Sequence, residues 1–267
     1  MNFINQSVEV LEQPEGVQGI YDIIAKCAST CYQSVPKEGD LAKSFVEKLI
    51  ANEHGAMLEF GTVYLKVPDS KTSKTPREYK ELEDIERFYH NNPYSKINVS
   101  DGYAITTNFR VIVENNRYND LKYICSPTEH HELRKCVRLI TSIGVAREFT
   151  RHRTMSFAQE STRYCNYSKD KFGNELTCIM PEKDNWGVNT YYEYINTLDA
   201  IEECYVKATQ EGTKPEIARE ILPLSLKTEL CICGFVTDWK KLFKLRCKEN
   251  AHPYMRKIAT MIKDKLL

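Results

Sequence analysis

The feature that most restricts the fold is an apolar stripe within residues 191–210. Its members recur three or four residues apart: Tyr191, Tyr194, Ile195, Leu198, Ile201, Tyr205 and Val206. This spacing places them on one face of a helix, which must be buried against the core or against a second subunit. The sequence therefore predicts a long helix in the C-terminal half of the chain.

Other segments show helical or strand-like patterns, but the two kinds do not alternate regularly. Helical periodicity also marks residues 41–51, 132–143, 215–221, 238–247 and 253–266. Extended segments are expected at residues 61–67, 102–107 and 225–236. This order favours an α+β fold, with a mixed or antiparallel sheet packed against helices, over a doubly wound parallel sheet. With no repeat or low-complexity stretch, residues 1–267 are predicted to form a single domain.

Charge and composition exclude several classes of function. The chain carries 37 Lys and Arg against 37 Asp and Glu, so it has no cationic surplus for binding nucleic acid. Its apolar runs are interrupted well before the ~18 residues of a membrane span, and no secretory pattern is visible at the N-terminus. A cytoplasmic protein is expected. The ten cysteines contain no CxxC pair and are predicted to be free thiols, and the hydrophilic residues 69–86 are predicted to form an exposed or mobile insert.

The chemically most unusual segment is residues 147–164, REFTRHRTMSFAQESTRY. It holds four arginines and six hydroxyl side chains against two carboxylates. Guanidinium groups bind phosphate oxygens through paired hydrogen bonds, so this composition predicts a phosphate site. A solvated surface whose arginines pair with distant acids has the same composition. The nucleotide-binding loops GxGxxG and GxxxxGK[ST] are absent.

The order of residues in this segment is more specific than its composition. Arg151, His152 and Arg153 are followed, after seven residues, by Ser161. This arrangement resembles the RHR(X)7S motif of the flavin-dependent thymidylate synthases, the ThyX family.

Three further segments resemble motifs of the same family, in the same order. EHGAMLEF, with His54 and Glu59, precedes a strand-like segment; REILPLSLKTEL contains Arg219, and KLFKLRCKENAH contains Arg246. Together the motifs cover most of the chain between residues 51 and 262.

The resemblance implies an enzyme that methylates dUMP to dTMP. In this family FAD supplies the electrons, 5,10-methylenetetrahydrofolate the one-carbon unit, and NADPH re-reduces the flavin, without an enzyme nucleophile. It also implies a homotetramer whose active sites draw residues from several subunits.

The resemblance assigns roles to individual positions. Catalytic roles fall to Arg246, at the uracil edge, and to His152. Residues expected to bind FAD are His54, Glu59, Arg151, Arg153, Thr154 and Lys241. Residues expected to bind dUMP are Glu148, Gln159, Glu160, Ser161, Thr162, Arg163, Arg219 and Arg246. The chemistry of these side chains agrees, because a dianionic phosphate needs fixed cations and a permanent charge beside the pyrimidine carbonyl favours the negative charge that develops on the ring.

The chain departs from the family's pattern at several positions. Phe235 and Thr237 stand where many members have an Asn-x-Arg pair that helps to hold FAD. Glu148 stands where a glutamine is common, and Ala158 replaces a usual asparagine. These departures leave two questions: which residues contact the flavin, and which pyrimidine nucleotide is the substrate.

Two other functions remain as alternatives. One is a related C5 methylase or hydroxymethylase that acts on UMP or another pyrimidine nucleotide. The other is a non-catalytic protein that binds a nucleotide or RNA through the same arginines. Arg219 could instead pair with Glu216 or Glu220 at the surface, and Arg246 with Glu249.

Overall fold

The computed structural model describes residues 1–267, which form nine strands and ten helices joined by loops and short 3₁₀ turns. The strands are β1 (Asn2–Ile4), β2 (Ser7–Leu11), β3 (Thr62–Val67), β4 (Lys96–Val99), β5 (Tyr103–Asn108), β6 (Arg134–Ser142), β7 (Ser156–Gln159), β8 (Thr177–Ile179) and β9 (Lys227–Phe235). The helices are α1 (Gly16–Thr30), α2 (Asp40–Ala51), α3 (Gly55–Leu58), α4 (Pro76–Asn91), α5 (Phe109–Glu114), α6 (Ile143–Phe149), α7 (Val188–Gln210), α8 (Pro215–Ala218), α9 (Val236–Arg246) and α10 (Pro253–Leu266).

The strands form three sheets. The largest is antiparallel, in the order β2-β6-β9-β7, and a second antiparallel sheet has the order β3-β5-β4. A short parallel pair joins β1 to β8. Antiparallel and parallel pairing in one chain, with helices between the sheets, confirms the predicted α+β fold.

Alternation along β9 separates two apolar cores. Cys231 and Cys233 face the core that contains α1, α2, α4 and the three-stranded sheet. Leu230 and Ile232 face the opposite side of the sheet, where α6, α9 and α10 cover it. Because both faces of this strand are buried from Leu230 to Phe235, that part of its sequence contains no polar residue. The helices over the second face carry the residues of the candidate site.

Most predicted elements are confirmed, but the helix predicted at residues 132–143 is wrong. That segment is the central strand β6, which pairs with β2 on one side and β9 on the other. Its β-branched residues Val137, Ile140 and Thr141 suit a strand, and pairing with two neighbours outweighs the weak helical spacing.

The prediction of an exposed or mobile insert at residues 69–86 is confirmed for exposure, since most of these residues are exposed, but the segment is not an excursion from the core. Most of this segment belongs to α4, whose Leu82, Ile85 and Tyr89 are buried. The helix starts at a capping residue, because Thr75 Oγ1 accepts a hydrogen bond from the Glu78 backbone N–H at 3.1 Å and Pro76 occupies the first turn. The hydrophilic composition reflects the solvent-facing side of an amphipathic helix.

The prediction that all ten cysteines are free thiols is wrong for two of them. Cys136 and Cys233 lie opposite each other on β6 and β9 and form a disulfide, whereas the other eight cysteines are free. The two are 97 residues apart in sequence, so only the strand register brings them together. No helix in the chain combines the length and the apolar character that crossing a bilayer requires.

Candidate active site

The RHR motif forms a loop between α6 and β7. Ser142, the last residue of β6, caps the start of α6: its Oγ accepts a hydrogen bond from the Val145 backbone N–H at 3.2 Å. Phe149 and Met155 are buried on either side of the loop and anchor it to the core. Arg151 and Arg153 project from it, exposed to solvent, and neither makes an ion pair within 4.0 Å. Thr154 is also exposed.

Three predicted site residues meet beside this loop. The Arg246 guanidinium, in the last turn of α9, donates from Nε to His152 Nε2 at 3.1 Å and from one terminal nitrogen to Glu148 Oε2 at 2.8 Å. Its other terminal nitrogen donates to the Glu148 backbone carbonyl at 3.1 Å. Arg246 therefore pairs with Glu148, three residues before the motif, and not with Glu249.

The contact with Arg246 defines the protonation of His152. Because Nε2 accepts a hydrogen bond from a guanidinium, it carries the lone pair, and the proton of the neutral ring lies on Nδ1. Burial, together with the Arg246 charge, lowers the pKa of His152. The ring is therefore held as a neutral imidazole at neutral pH.

A polar cavity of about 570 Å³ lies on the other side of α6. Its walls include the predicted residues Gln159, Glu160, Ser161, Thr162 and Arg219. Arg147 lines the same cavity without an ion pair, and Arg219 has only a long contact with Glu220, at 3.9 Å. Two guanidinium groups and two hydroxyls thus face one space, which suits a phosphate group.

Glu160 forms part of the cavity wall but is occupied by contacts within the protein. Its carboxylate is fully buried, pairs with Lys227 Nζ at 2.9 Å, and accepts hydrogen bonds from the Tyr167 hydroxyl and the Glu229 backbone N–H. Burial, followed by the Glu160 charge, raises the pKa of Tyr167. These contacts fix the chain just before Ser161, whose backbone N–H donates to the Cys31 carbonyl at 3.0 Å.

A second, more apolar cavity of about 250 Å³ adjoins the first one. Trp186, Tyr194 and Tyr254 form aromatic walls, and Glu148 supplies a carboxylate. Leu224 lines both cavities, so the two spaces are neighbours. The site therefore has a cationic compartment beside an aromatic one.

Several predicted residues lie outside these cavities. Arg163 is exposed and pairs with Glu216 at 3.4 Å, and Lys241 pairs with Asp238 at 3.1 Å. His54 is exposed before α3. Glu59 pairs with Arg110 at 2.8 Å. No hydrogen bond within the chain joins His54 or Glu59 to the RHR loop.

Two arginines of interest were not assigned roles from the sequence. Arg147 lies within the motif segment, and its helical position beside Ile143 could have indicated that it lines the cavity. Arg134 is buried at the start of β6, without a carboxylate partner; it donates to Thr62 Oγ1 and to the Glu59 carbonyl, and burial lowers its pKa to about 10. No sequence pattern distinguishes Arg134 from a surface arginine.

Phe235, one of the positions that depart from the ThyX pattern, lies near Arg134. Phe235 is buried, and its ring centre lies 5.6 Å from the Arg134 guanidinium and 5.7 Å from Lys96 Nζ. Thr237 is exposed, and its backbone N–H donates to Glu132 Oε1 at 3.0 Å. Cationic groups are therefore present here, contributed by β4 and β6.

Comparison with known proteins gives a consistent set of matches. The profile of the family described as "Thymidylate synthase complementing protein" matches residues 110–267, more than half of the chain. Among solved structures, the chain is similar to the UMP/dUMP methylase PolB from Streptomyces cacaoi bound with 5-Br dUMP. The TM-score is 0.46 and the identity 13%, and the match covers 99% of this chain and 91% of that one.

Curated relatives match over part of their length. A probable flavin-dependent thymidylate synthase of Paramecium bursaria Chlorella virus 1 is 30% identical over 41% of this chain and 55% of its own length. The flavin-dependent thymidylate synthases of Synechocystis and Pyrococcus furiosus are 27% and 28% identical, over 55% and 42% of this chain and 74% and 45% of their own lengths. The chain thus spans about half of the first and third relatives and three quarters of the second.

Proposed function

The chain belongs to the thymidylate synthase complementing protein family, and from this premise we propose that it catalyses FAD-dependent reductive methylation of a pyrimidine nucleotide at C5, as in the conversion of dUMP to dTMP. The relatives named as flavin-dependent thymidylate synthases support this reaction type.

The observation that carries the proposal is the pairing of two compartments around α6. Arg147 and Glu148 are consecutive residues of this helix, yet Arg147 faces the cationic cavity and Glu148 the aromatic one. A nucleoside monophosphate has the same division, with an anionic end and a flat heteroaromatic end. The two cavities match these ends.

The phosphate end is bound by charge and by short donors. Arg147 and Arg219 are available because neither has a close carboxylate partner, and Ser161 and Thr162 add hydroxyl groups. A bound dianion would give both guanidinium groups a closer counter-charge than Glu220, which also lines the cavity, 3.9 Å from Arg219. Hydrogen bonds to charged groups of this kind contribute about 1.5–3 kcal/mol each.

Arg246 and His152 act at the base end of the nucleotide. Arg246 is a permanent cation held in place by three hydrogen bonds, so it can stabilise negative charge on the pyrimidine ring without reorganising. Neutral His152 presents Nδ1–H on the side away from Arg246, where it can donate a hydrogen bond. Neither residue needs to act as a nucleophile.

The chain offers residues that fit an anionic flavin nucleotide. Arg151 and Arg153 are exposed cations without partners, and Lys96 and Arg134 lie near Phe235, where the family's Asn-x-Arg pair is missing. These groups would hold the pyrophosphate and ring of FAD by charge, with the predicted residues His54, Glu59, Thr154 and Lys241 as further contacts. When bound, FAD supplies the reducing equivalents for the methyl transfer.

The remaining parts of the proposal follow the family. The one-carbon donor is 5,10-methylenetetrahydrofolate, the reductant is NADPH, and the enzyme is a cytoplasmic homotetramer with shared active sites. The exposed apolar side chains at the start of α7, Val188 and Tyr192, are available for a subunit interface.

A second candidate function is favoured by one observation. Glu148 contributes a carboxylate to the aromatic cavity, and a carboxylate only accepts hydrogen bonds. This chemistry supports the alternative of methylation or hydroxymethylation of a pyrimidine nucleotide other than dUMP. Competition between nucleotides in one turnover assay separates the two candidates.

The experiment that tests the proposal follows the visible absorption of the FAD-loaded protein as dUMP is added. We expect the flavin bands to shift, and tritium to be released from [5-³H]dUMP when methylenetetrahydrofolate and NADPH are present. Arg219→Ala should weaken the nucleotide-induced shift, and Lys122→Ala, at a distant surface pair, should leave it unchanged.

Two results would contradict the proposal. Failure to retain FAD with every nucleotide would show that the positions around Phe235 no longer form a flavin site. Retention of RNA without flavin, lost as salt is raised, would support the non-catalytic alternative instead.

A further inference from the structure

We infer that the cavity between β2, β3 and β6 binds a short-chain carboxylate through the buried guanidinium of Arg134. This cavity has a volume of about 170 Å³ and shares no lining residue with the two cavities around α6. The inference does not rest on the proposed function, because it uses neither the nucleotide site nor the RHR loop.

Arg134 is a buried cation without a counter-ion in the chain. The residue is 8% exposed, and no carboxylate oxygen lies within 4.0 Å of its guanidinium. Two acids lie further away, and each is paired with another cation: Glu59 with Arg110 at 2.8 Å and Asp238 with Lys241 at 3.1 Å. Since buried charges are normally paired, this guanidinium provides a place for an anion from outside the chain.

Most of the donors of Arg134 are unused. A guanidinium has five N–H groups, and two of them donate within the chain, to Thr62 Oγ1 at 3.3 Å and to the Glu59 carbonyl at 3.0 Å. Three N–H groups are left. Thr62, which accepts one of the two hydrogen bonds, lines the cavity together with Arg134. The guanidinium therefore lies at the cavity wall with unused donors.

The rest of the wall fits a short hydrocarbon chain. Apolar side chains line much of the cavity: Leu11, Pro14, Ile124, Pro127 and Leu133. At about 30 Å³ for each water molecule, the volume corresponds to about six waters, and therefore to an acid of about six non-hydrogen atoms, such as butyrate. The carboxylate of such an acid pairs with the guanidinium, and its carbon atoms contact the apolar wall.

The other charged groups of the wall favour a single negative charge. Glu12 and Glu15 are exposed residues of the wall, and Glu15 Oε1 accepts a hydrogen bond from Ser126 Oγ at 2.6 Å. Gly16 begins α1, whose first turn has no capping side chain, so the helix adds a partial positive charge. Two carboxylates repel a phosphate dianion more strongly than a monoanion, which favours a carboxylate ligand.

A phosphate of FAD is the other anion to consider at Arg134, because the proposed function places FAD near Phe235. Neither Phe235 nor Lys96 lines this cavity. The cavity is also smaller than the about 300–1,000 Å³ of sites that take drug-sized ligands. A dinucleotide therefore does not fit inside it, and titrations with and without FAD distinguish the two sources of the anion.

Isothermal titration calorimetry of the FAD-loaded protein tests the inference with three probes: butyrate, its neutral amide butyramide, and inorganic phosphate. We expect butyrate to bind with saturation, and about tenfold or more tightly than butyramide or phosphate, because only butyrate combines one negative charge with an apolar chain. The chain without FAD should bind butyrate equally well. Arg134→Met should weaken butyrate binding about tenfold or more and leave butyramide binding unchanged.

Two further variants accompany Arg134→Met. Arg87→Met is the matched control, since it removes an exposed arginine of α4 that pairs with Asp84 and does not line the cavity. It should leave butyrate binding unchanged, and thermal denaturation should show that it is folded. Glu12→Gln keeps the test decisive if Arg134→Met does not fold, because removing a negative charge from the wall should tighten butyrate binding about threefold and leave butyramide binding unchanged.

Four outcomes would overturn the inference. Butyrate fails to bind, or butyramide or phosphate binds as tightly as butyrate. Neither Arg134→Met nor Glu12→Gln alters the affinity for butyrate. Butyrate binds only in the absence of FAD and competes with it, which would assign the guanidinium to the flavin. By contrast, flavin bands that do not shift with dUMP, in a protein that binds butyrate, would contradict the proposed function alone.

Discussion

Replacement of Lys227 by methionine tests how the wall of the phosphate cavity is held. Lys227 Nζ lies 2.9 Å from Glu160 Oε2 and 3.3 Å from Glu229 Oε1, and the Glu160 side chain is fully buried. Lys227→Met keeps most of the length of the side chain but removes the cation. It leaves a buried carboxylate beside a second one.

The expected loss follows from this burial. Glu160 keeps hydrogen bonds from the Tyr167 hydroxyl and the Glu229 backbone N–H, but these are dipoles and do not replace a charge. Removing one partner of a buried ion pair costs about 3–5 kcal/mol. With an unfolding entropy of about 2.1 cal/mol/K for each of the 267 residues, the melting temperature should fall by about 5–9 °C.

Urea unfolding followed by circular dichroism measures the free energy directly. The double variant Lys227→Met/Glu160→Gln should regain more than half of the loss, because the amide carries no charge, and its oxygen can accept from the Glu229 backbone N–H while its NH₂ donates to the Tyr167 hydroxyl oxygen. Lys122→Met, at an exposed pair, should cost less than about 1 kcal/mol. A loss below 1 kcal/mol for Lys227→Met, or additive losses in the double variant, would refute the reasoning.

Four further predictions concern the site and the fold. Arg246→Ala should leave flavin bound and reduce kcat about 100- to 1000-fold, whereas Arg219→Ala, in the phosphate cavity, should mainly raise the KM for the nucleotide; steady-state kinetics separates the two, and equal effects in both variants would show that the roles are misassigned. Arg147→Ala should weaken nucleotide binding about tenfold or more with no change in melting temperature, since Arg147 has no ion pair in the free protein. The pKa of His152 is lowered in the folded state, so the neutral ring stabilises the fold fully above pH 6.5, and this stabilisation is lost as the pH falls below that value. His152→Asn should therefore flatten the dependence of the unfolding free energy on pH between 7.5 and 5. Thr75→Ala should destabilise α4 by about 1 kcal/mol in chemical denaturation, and no effect would mean that the cap at Glu78 does not stabilise the helix.

The sequence predicts elements well where the period is unambiguous. The helix at residues 191–210 is present and starts only three residues earlier, at Val188. The strand predicted at 225–236 is β9, because its apolar and β-branched residues are bounded by a Leu-Pro turn. In both cases one local pattern agrees with the tertiary environment.

Prediction fails where pairing or packing decides between two local possibilities. β6 was expected to be a helix because Leu133, Cys136, Val137 and Ile140 also stand at helical spacing, although burial along the strand alternates for most of its length. α4 was expected to be an insert, because its charged face dominates the composition, although Thr75 and Pro76 mark its start. The Cys136–Cys233 pair depends on a register that no local window contains.

The candidate site, too, was predicted from the sequence only in part. His152, Arg246 and Glu148 were identified from motifs, yet only the fold shows that Glu148 is the partner of Arg246. Arg147 was missed because the resemblance gives it no role, although it lines the cavity with Arg219. Residue types follow from sequence, whereas their partners depend on how α6 and α9 cross the same sheet.

The length of β9 limits which residues a single ligand can contact. Lys227 supports the phosphate cavity at one end, and Phe235 lies beside Arg134 at the other, next to the backbone of Glu59. Eight residue steps at about 3.4 Å each separate these ends by about 27 Å. The cationic groups around Phe235 therefore stand too far from the phosphate cavity for one nucleoside monophosphate to contact both, so these two places along the strand serve different ligands or different parts of a longer one.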